Sequence, residues 1–166
     1  MVARWSEFAL AAPRLADAVH GLLHQYGSGL CYLATVRADG GPRVHPVAPV
    51  VHDGGLYCFV LASPKRSDLE RDGRYALHTF PAESSDDEGY LTGRAIRVTE
   101  RSLVSKLAAE MRAEARVDWR LYEFTIEVAM AVRRGSGSEY DIWRDPGVWQ
   151  SHSGGRLGTV GPRSRV

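Results

Sequence analysis

The most informative stretch of the sequence runs from residue 43 to residue 80, and its centre reads Leu61-Ala62-Ser63-Pro64-Lys65-Arg66-Ser67-Asp68-Leu69. An apolar strand pattern leads into Ser63 and Pro64, and Ser-Pro is a typical helix start. Free N–H groups and the helix dipole make such a start favourable for anions. Lys65 and Arg66 add two cations there, and Arg43 adds a third. The stretch predicts a site for an anionic group; the alternative is a plain helix cap with solvated charges.

Strand patterns and glycine turns alternate through most of the chain. We predict strands at residues 30–36, 42–51, 56–61, 75–80, 90–99, 121–132 and 139–144. Asp39-Gly40-Gly41 and Asp53-Gly54-Gly55 provide hairpin turns, and Gly93 predicts a bulge or a close approach. The second strand is apolar apart from Arg43 and His45, which predicts that both of its faces are covered.

Helical spacing occurs in three segments. Residues 5–26 form the first, with Ser6 as its N-cap and a break at Pro13; a short helix at 64–71 and a longer one at 101–115 follow. Six or seven antiparallel strands with few helices predict a mainly β fold. We expect a small β-barrel with an N-terminal helix and two further helices.

The composition is that of an ordinary globular domain. A chain of 166 residues, 44% hydrophobic and 25% charged, is long enough for one domain with its own core. A net charge of +1 argues against binding to nucleic acid. We assign residues 1–150 to the domain and 151–166, rich in Gly, Ser and Arg, to a disordered tail. Neither a secretory signal nor a membrane-spanning run is visible, which favours the cytoplasm.

The remaining polar clusters give neither a metal site nor a catalytic residue. Cys31 and Cys58 lie in predicted buried strands, and we interpret them as free core thiols. The histidines and cysteines lack the spacing of metal ligands. Residues 83–88 are acidic enough to bind a cation, but the run is typical of a solvated loop.

Several short motifs occur together and in order: Leu33-Ala34-Thr35-Val36, residues 39–47, Ser63-Pro64-Lys65, Asp68-Leu69 and Gly93-Arg94-Ala95. This combination resembles the pyridoxamine 5′-phosphate oxidase-like superfamily of flavin-binding split β-barrels, over about residues 5–144. The resemblance implies FMN as cofactor and a homodimer with the cofactors at the subunit interface. It also implies hydride transfer between the flavin and a small substrate.

The resemblance further implies where the cofactor binds. Arg43 matches the arginine that begins the cofactor-binding strand, and the next four residues match the stretch along the flavin ring. The third strand supplies two residues behind the ring, the helix start grips the phosphate, and one residue lies near the ring edge. These residues are Arg43, Val44, His45, Pro46 and Val47; Cys58 and Phe59; Ser63, Lys65 and Arg66; and Glu88.

One departure and two alternatives qualify this assignment. Ala48 stands where the oxidase itself has a lysine that helps to hold its substrate, so we do not expect oxidation of pyridoxamine phosphate. The first alternative is a reductase that uses the deazaflavin coenzyme. The second is a non-catalytic flavin-binding or haem-binding protein, for which His45, His52 and His78 are the candidate haem ligands.

Overall fold

A computed structural model describes residues 2–114, 116–134 and 138–146, which form one antiparallel sheet of eight strands and four helices. The split-barrel fold class is thereby confirmed. The tail at 151–166 lies outside the described residues, and the extent of the single domain stays a prediction. The helices are α1 Trp5–Ala11, α2 Pro13–Leu23, α3 Pro64–Arg71 and α4 Arg101–Glu110. The strands are β1 Cys31–Val36, β2 Pro42–Val47, β3 Val50–His52, β4 Gly55–Leu61, β5 Arg74–Thr79, β6 Glu88–Arg97, β7 Trp119–Arg134 and β8 Ser138–Arg144.

The order of the strands makes the sheet curl. Seven strands follow the path β2-β1-β5-β6-β7-β4-β3, and β8 pairs with the second half of β7. The two end strands, β2 and β3, are separated by only Ala48 and Pro49, so the two edges of the sheet must lie close to each other. The sequence predicted one continuous strand here. The structure breaks it because Pro49 has no N–H group for a ladder.

Gly29 accommodates this break. A Cβ atom at position 29 would lie 1.8 Å from the carbonyl oxygen of Pro49, so only glycine allows the two backbones to approach this closely.

Two apolar cores lie on opposite faces of β4 and β7, because successive side chains of a strand alternate between faces. The larger core lies inside the curled sheet, where α1 and α2 pack against it; Phe8, Val19, Leu33, Cys58 and Ile126 are among its buried members. The smaller core lies beneath α4, where Leu107 packs with Tyr57 and Leu121. The strands β4 and β7 therefore each contribute side chains to both cores.

Both cysteines are buried and free, as the sequence predicted. Burial raises the pKa of the Cys58 thiol to about 12, and it raises that of Cys31 as well. Both thiols therefore stay protonated at neutral pH.

The helices follow the predicted pattern with two corrections. Pro13 separates α1 from α2 as expected, because proline fits the first helical position but not the interior. Ser6 is not the N-cap: Arg4 occupies that position and Ser6 lies within α1. The last helix ends at Glu110 instead of continuing to residue 115. Among the described residues, no helix has both the length and the apolar character needed to cross a membrane.

The outer face of β2 is uncovered in this chain, contrary to the expectation of two covered faces. Pro42, Val44 and Pro46 point outward and are exposed, and Val44 keeps 58% of its accessible surface. Their partners on β1 are Val36, Ala34 and Tyr32 in that order, so the two strands present a face of apolar side chains. A solvated sheet face normally carries polar residues.

Gly93 is the backbone position where we expect the largest effect of a single methyl group. The register of β6 and β7 shifts between Thr92 and Gly93, and a Cβ atom at Gly93 would lie 1.9 Å from the carbonyl oxygen of Thr125. Gly93→Ala should lower the free energy of unfolding by about 3 kcal/mol, the upper end of the cost of overpacking.

Gly21→Ala is the matched control, since Gly21 lies within α2 and a Cβ atom there has nothing within 4 Å. This substitution should raise stability by about 0.5–1 kcal/mol. Urea denaturation followed by circular dichroism measures both values, and similar changes for the two variants would contradict the close approach at Gly93.

Candidate functional site

A cavity of about 610 Å³ opens against the outer side of β4, where α4 ends and β7 begins. Its volume lies in the range of roughly 300–1,000 Å³ that is typical of small-molecule sites. The lining is mainly apolar and comes from four segments: Pro46, Val47 and Ala48; Phe59, Leu61 and Lys65; Met111, Arg112, Ala113 and Glu114; and Val117 and Trp119. Four of the predicted site residues, Pro46, Val47, Phe59 and Lys65, therefore come together here.

Lys65 is a cation at this cavity whose charge the rest of the fold does not use. It lies in the first turn of α3, behind Pro64, which has no N–H group. Neither the ammonium group of Lys65 nor its main-chain N–H has a hydrogen-bond or ion-pair partner among the described residues. The start of α3 therefore presents two unused donors and a positive charge beside an apolar cavity.

Asp68 holds α3 in this position. Its side chain is buried, and its Oδ2 atom accepts hydrogen bonds from Thr35 Oγ1 at 2.9 Å and from Arg43 Nε at 2.7 Å. Arg71 Nη2 donates to the other carboxylate oxygen at 3.3 Å. Burial alone would raise the pKa of Asp68, but the donors on Arg43, Thr35 and Arg71 lower it below its ordinary value. The carboxylate thus joins α3 to β1 and β2.

Arg43 contributes to the site through its contact with Asp68 on α3. Its Nε atom is used by Asp68, while its two Nη groups donate no hydrogen bond among the described residues. It is absent from the lining of the cavity. We therefore assign it a positioning contact with α3 and a contribution to the local positive potential.

The pKa of the His45 imidazole responds to this positive potential. Partial burial lowers the pKa of its imidazole first, and the charges of Lys65 and Arg43 lower it further, against the opposing effect of Asp68. The neighbouring cations thus outweigh the one carboxylate. An excess of positive charge at this end of β2 favours an anionic ligand.

Arg66 and Ser63 make local contacts instead of lining the cavity. The guanidinium of Arg66 donates to both the carboxylate and the carbonyl oxygen of Asp118, each at 2.8 Å, and so fastens α3 to the start of β7. Ser63 occupies the N-cap position, but its hydroxyl donates to the Leu61 carbonyl oxygen at 2.9 Å and does not cap the helix. The plain helix-cap interpretation is therefore wrong for this hydroxyl.

Three other predicted residues lie away from the cavity in this chain. Cys58 points into the larger core, Val44 lies on the exposed outer face of β2, and Glu88 begins β6. The Oε2 atom of Glu88 lies 3.3 Å from the Nε2 atom of His78. Both residues line a smaller cavity of about 200 Å³ in the acidic loop. The alternation of strand faces explains why neighbours such as Cys58 and Phe59 separate.

Sequence reasoning missed the wall formed by the residues after α4 and by Trp119. Trp119 pairs with Leu61 across β4 and β7, a register that the sequence alone does not reveal. The indole Nε1 of Trp119 is buried and has no hydrogen-bond partner among the described residues. A buried donor without an acceptor is energetically unfavourable.

Asp68 offers a direct test of how the site is held. Asp68→Asn keeps the shape but removes the charge, and we expect it to lower the free energy of unfolding at pH 7 by about 1.5–3 kcal/mol, as for hydrogen bonds to a charged group. The pKa of Asp68 is depressed in the folded state, so its contribution is present above the unfolded value of roughly 3.9 and disappears as the pH falls through the lower folded value.

The difference between the wild type and Asp68→Asn should therefore be constant from pH 5 to pH 8 and shrink below about pH 4. Chemical denaturation across this range measures it. Asp118→Asn is the control, because its carboxylate is exposed and its ion pair with Arg66 should contribute much less. Equal losses in the two variants would contradict the special position of Asp68.

Comparison with solved structures places this fold among known proteins. No protein-family model matches the chain, and no curated protein sequence matches it. An FMN-binding protein related to pyridoxamine 5′-phosphate oxidase from Nostoc punctiforme is similar, with a TM-score of 0.64, 11% identity, and coverage of 80% of this chain and 89% of that one. A protein related to general stress protein 26, of the pyridoxinephosphate oxidase family, from Clostridium acetobutylicum has a TM-score of 0.58 at 15% identity and covers 84% of this chain and 95% of its own.

A haem-binding protein from Mycobacterium smegmatis is also similar, with a TM-score of 0.58 and 18% identity over 76% of this chain. The chain spans 57% of the length of that protein. At these identities the similarity concerns the fold. The chain thus has the split β-barrel fold shared by pyridoxamine 5′-phosphate oxidase-like proteins, and the suspected resemblance is confirmed at that level.

Proposed function

We propose that the cavity beside α3 binds FMN and that the protein is a flavin-dependent oxidoreductase. The observation that carries this proposal is Lys65, a cation without a partner among the described residues, at a helix start that opens onto an apolar, partly aromatic cavity. A planar aromatic ring system with a phosphate matches both features. The fold that the chain shares with an FMN-binding protein supports it.

Different residues of the cavity would bind the phosphate and the ring of FMN. The ammonium group of Lys65 and its unused main-chain N–H would hold the phosphate. Phe59, Val47 and Trp119 would pack against the ring. Bound flavin supplies hydride transfer, while the chain supplies binding, orientation and exclusion of water.

Two other cofactors are alternatives to FMN, and titration of the protein with each of them tests which one binds. The deazaflavin coenzyme also carries a phosphate, so Lys65 does not separate it from FMN. Haem requires an axial ligand, and the three candidate histidines differ. His45 has Lys65 and Arg43 as charged neighbours, and His52 lies between Asp53 and Glu110. The Nδ1 atom of His78 forms a hydrogen bond of 2.8 Å with the Thr79 carbonyl oxygen. An absorption spectrum after reconstitution distinguishes flavin bands from a Soret band.

The protein is further proposed to act as a homodimer with the cofactors at the subunit interface. The apolar outer face of β1 and β2, which includes Tyr32, Val44 and Pro46, is the surface that a second copy would cover. Pro46 also lines the cavity, so this interface would border the bound cofactor. The resulting dimer would satisfy the sequence-based expectation that β2 is covered on both sides.

Lys65→Ala should weaken FMN binding at least tenfold, because a charge-assisted contact contributes about 1.5–3 kcal/mol. Its affinity for riboflavin, which lacks the phosphate, should stay within about twofold of the wild type. Arg66→Ala is the matched control: the same helix turn loses a cation, but one that is bound to Asp118 and does not line the cavity. Fluorescence titration measures all three affinities, and an equal loss of FMN affinity in both variants would contradict the assignment of Lys65.

Val44→Asp should convert the proposed dimer to a monomer, because it buries a charge at the centre of an apolar interface. Light scattering after gel filtration should give about twice the chain mass of 18.3 kDa for the wild type and that mass for the variant. Leu10→Asp is the control, since Leu10 is another apolar side chain, 86% exposed, on α1. A monomeric wild type, or a dimer that survives Val44→Asp, would refute this interface.

A further inference from the structure

Arg112 ends α4 in an unusual way. The main-chain N–H of Ala113 donates to Ala108 at 2.9 Å, and that of Arg112 donates to Ala109 at 3.3 Å. These two bonds form a Schellman motif, in which the residue after the C-cap takes a left-handed conformation and is usually glycine. Here that residue is Arg112, with φ at +52°. A side chain at this position strains the backbone.

The local structure gives no reason for an arginine side chain at this strained position. The guanidinium of Arg112 makes no hydrogen bond or ion pair with any residue that the structure describes. The other non-glycine residue with a positive φ in the described ranges is Asp53, and its carboxylate binds Lys106 at 3.1 Å in the turn between β3 and β4. Asp53 therefore has a structural contact that accounts for it, whereas Arg112 has none.

Arg112 does line the cavity. The same lining contains the apolar side chains of Leu61, Val117 and Trp119, and it also contains Lys65. Glu114 is the one carboxylate among the described residues of this lining, in which cations outnumber anions by two to one. If Lys65 holds the cofactor phosphate, as proposed above, Arg112 remains as a second positive charge at the cavity.

We propose that the site takes a small substrate with an apolar body and a carboxylate-type anion, and that Arg112 binds this anion. The inference rests on the proposed function for the identity of the cofactor, but not for the role of Arg112. A guanidinium presents two parallel N–H donors that match a carboxylate. The apolar residues beside it would hold the body of the substrate next to the flavin.

The test compares benzoate with benzamide, a neutral molecule of nearly the same shape. In FMN-loaded protein, the flavin absorbance should report binding of benzoate at least tenfold tighter than benzamide. Arg112→Asn, which keeps a residue that tolerates the left-handed conformation, should abolish this preference, and Arg112→Lys should keep part of it. FMN affinity should be unchanged in both variants, which separates the substrate anion from the cofactor phosphate.

Stability provides a second and independent readout. Arg112→Gly should raise Tm by about 2–4 °C, because it relieves the left-handed strain, while it removes the preference for benzoate. A lower Tm would instead show that Arg112 supports the end of α4 through its charge at the helix C-terminus, and it would overturn the proposal.

The outcomes distinguish a failure of this proposal from a failure of FMN binding. If FMN does not bind, the intrinsic fluorescence of Trp119 in the cofactor-free protein still measures benzoate against benzamide, with Trp119→Phe as the control for the origin of the signal. Equal affinities for the two probes, tighter binding of benzylamine through Glu114, or a loss of FMN affinity in Arg112→Asn as large as in Lys65→Ala would each overturn the role of Arg112.

Discussion

The buried carboxylate of Asp68 is the interaction on which the candidate site depends. It joins β1 through Thr35, β2 through Arg43 and the last turn of α3 through Arg71. A short helix of eight residues has little stability of its own, so these contacts determine where it lies. Because Lys65 stands one turn before Asp68 on this helix, the bonds that satisfy a buried charge also direct a free charge toward the cavity.

The position of the cavity follows from the packing of β4 and β7, which carry apolar side chains on both faces. Their inner faces fill the barrel, and their outer faces pack under α4. Where α4 ends at Glu110, the outer face continues beyond it through Phe59, Leu61 and Trp119 without a helix to cover it. An apolar surface thus remains open beside the positively charged start of α3, and this combination of apolar walls and localised charge is what a site for an anionic aromatic cofactor requires.

The sequence predicted those features that depend on local backbone chemistry. The turns at Gly40 and Gly54, the break at Pro13 and the close approach at Gly93 all follow from the properties of glycine and proline, and the structure shows each of them. The start of α3 at Pro64 follows in the same way.

Features that depend on strand register or on long-range pairing were beyond the sequence. The face on which Cys58 or Phe59 lies is set by packing on both sides of β4, and a pattern that is apolar throughout does not show it. The partner of Arg66 is Asp118, which is distant in the sequence and meets it only because Leu61 pairs with Trp119. The motif contained Asp68, but nothing in the sequence showed that it would bind Arg43 while Lys65 has no partner in the part of the chain that the structure describes.

Two features of the fold reduce the stability of an isolated chain. The outer face of β1 and β2 exposes apolar side chains to water, and a left-handed arginine costs on the order of 1 kcal/mol relative to glycine. Folded proteins are only marginally stable, so such costs persist where another requirement maintains them. Both features border the same cavity, one through Pro46 and the other through Arg112. The proposed ligand and the proposed second subunit would therefore offset both costs at one place.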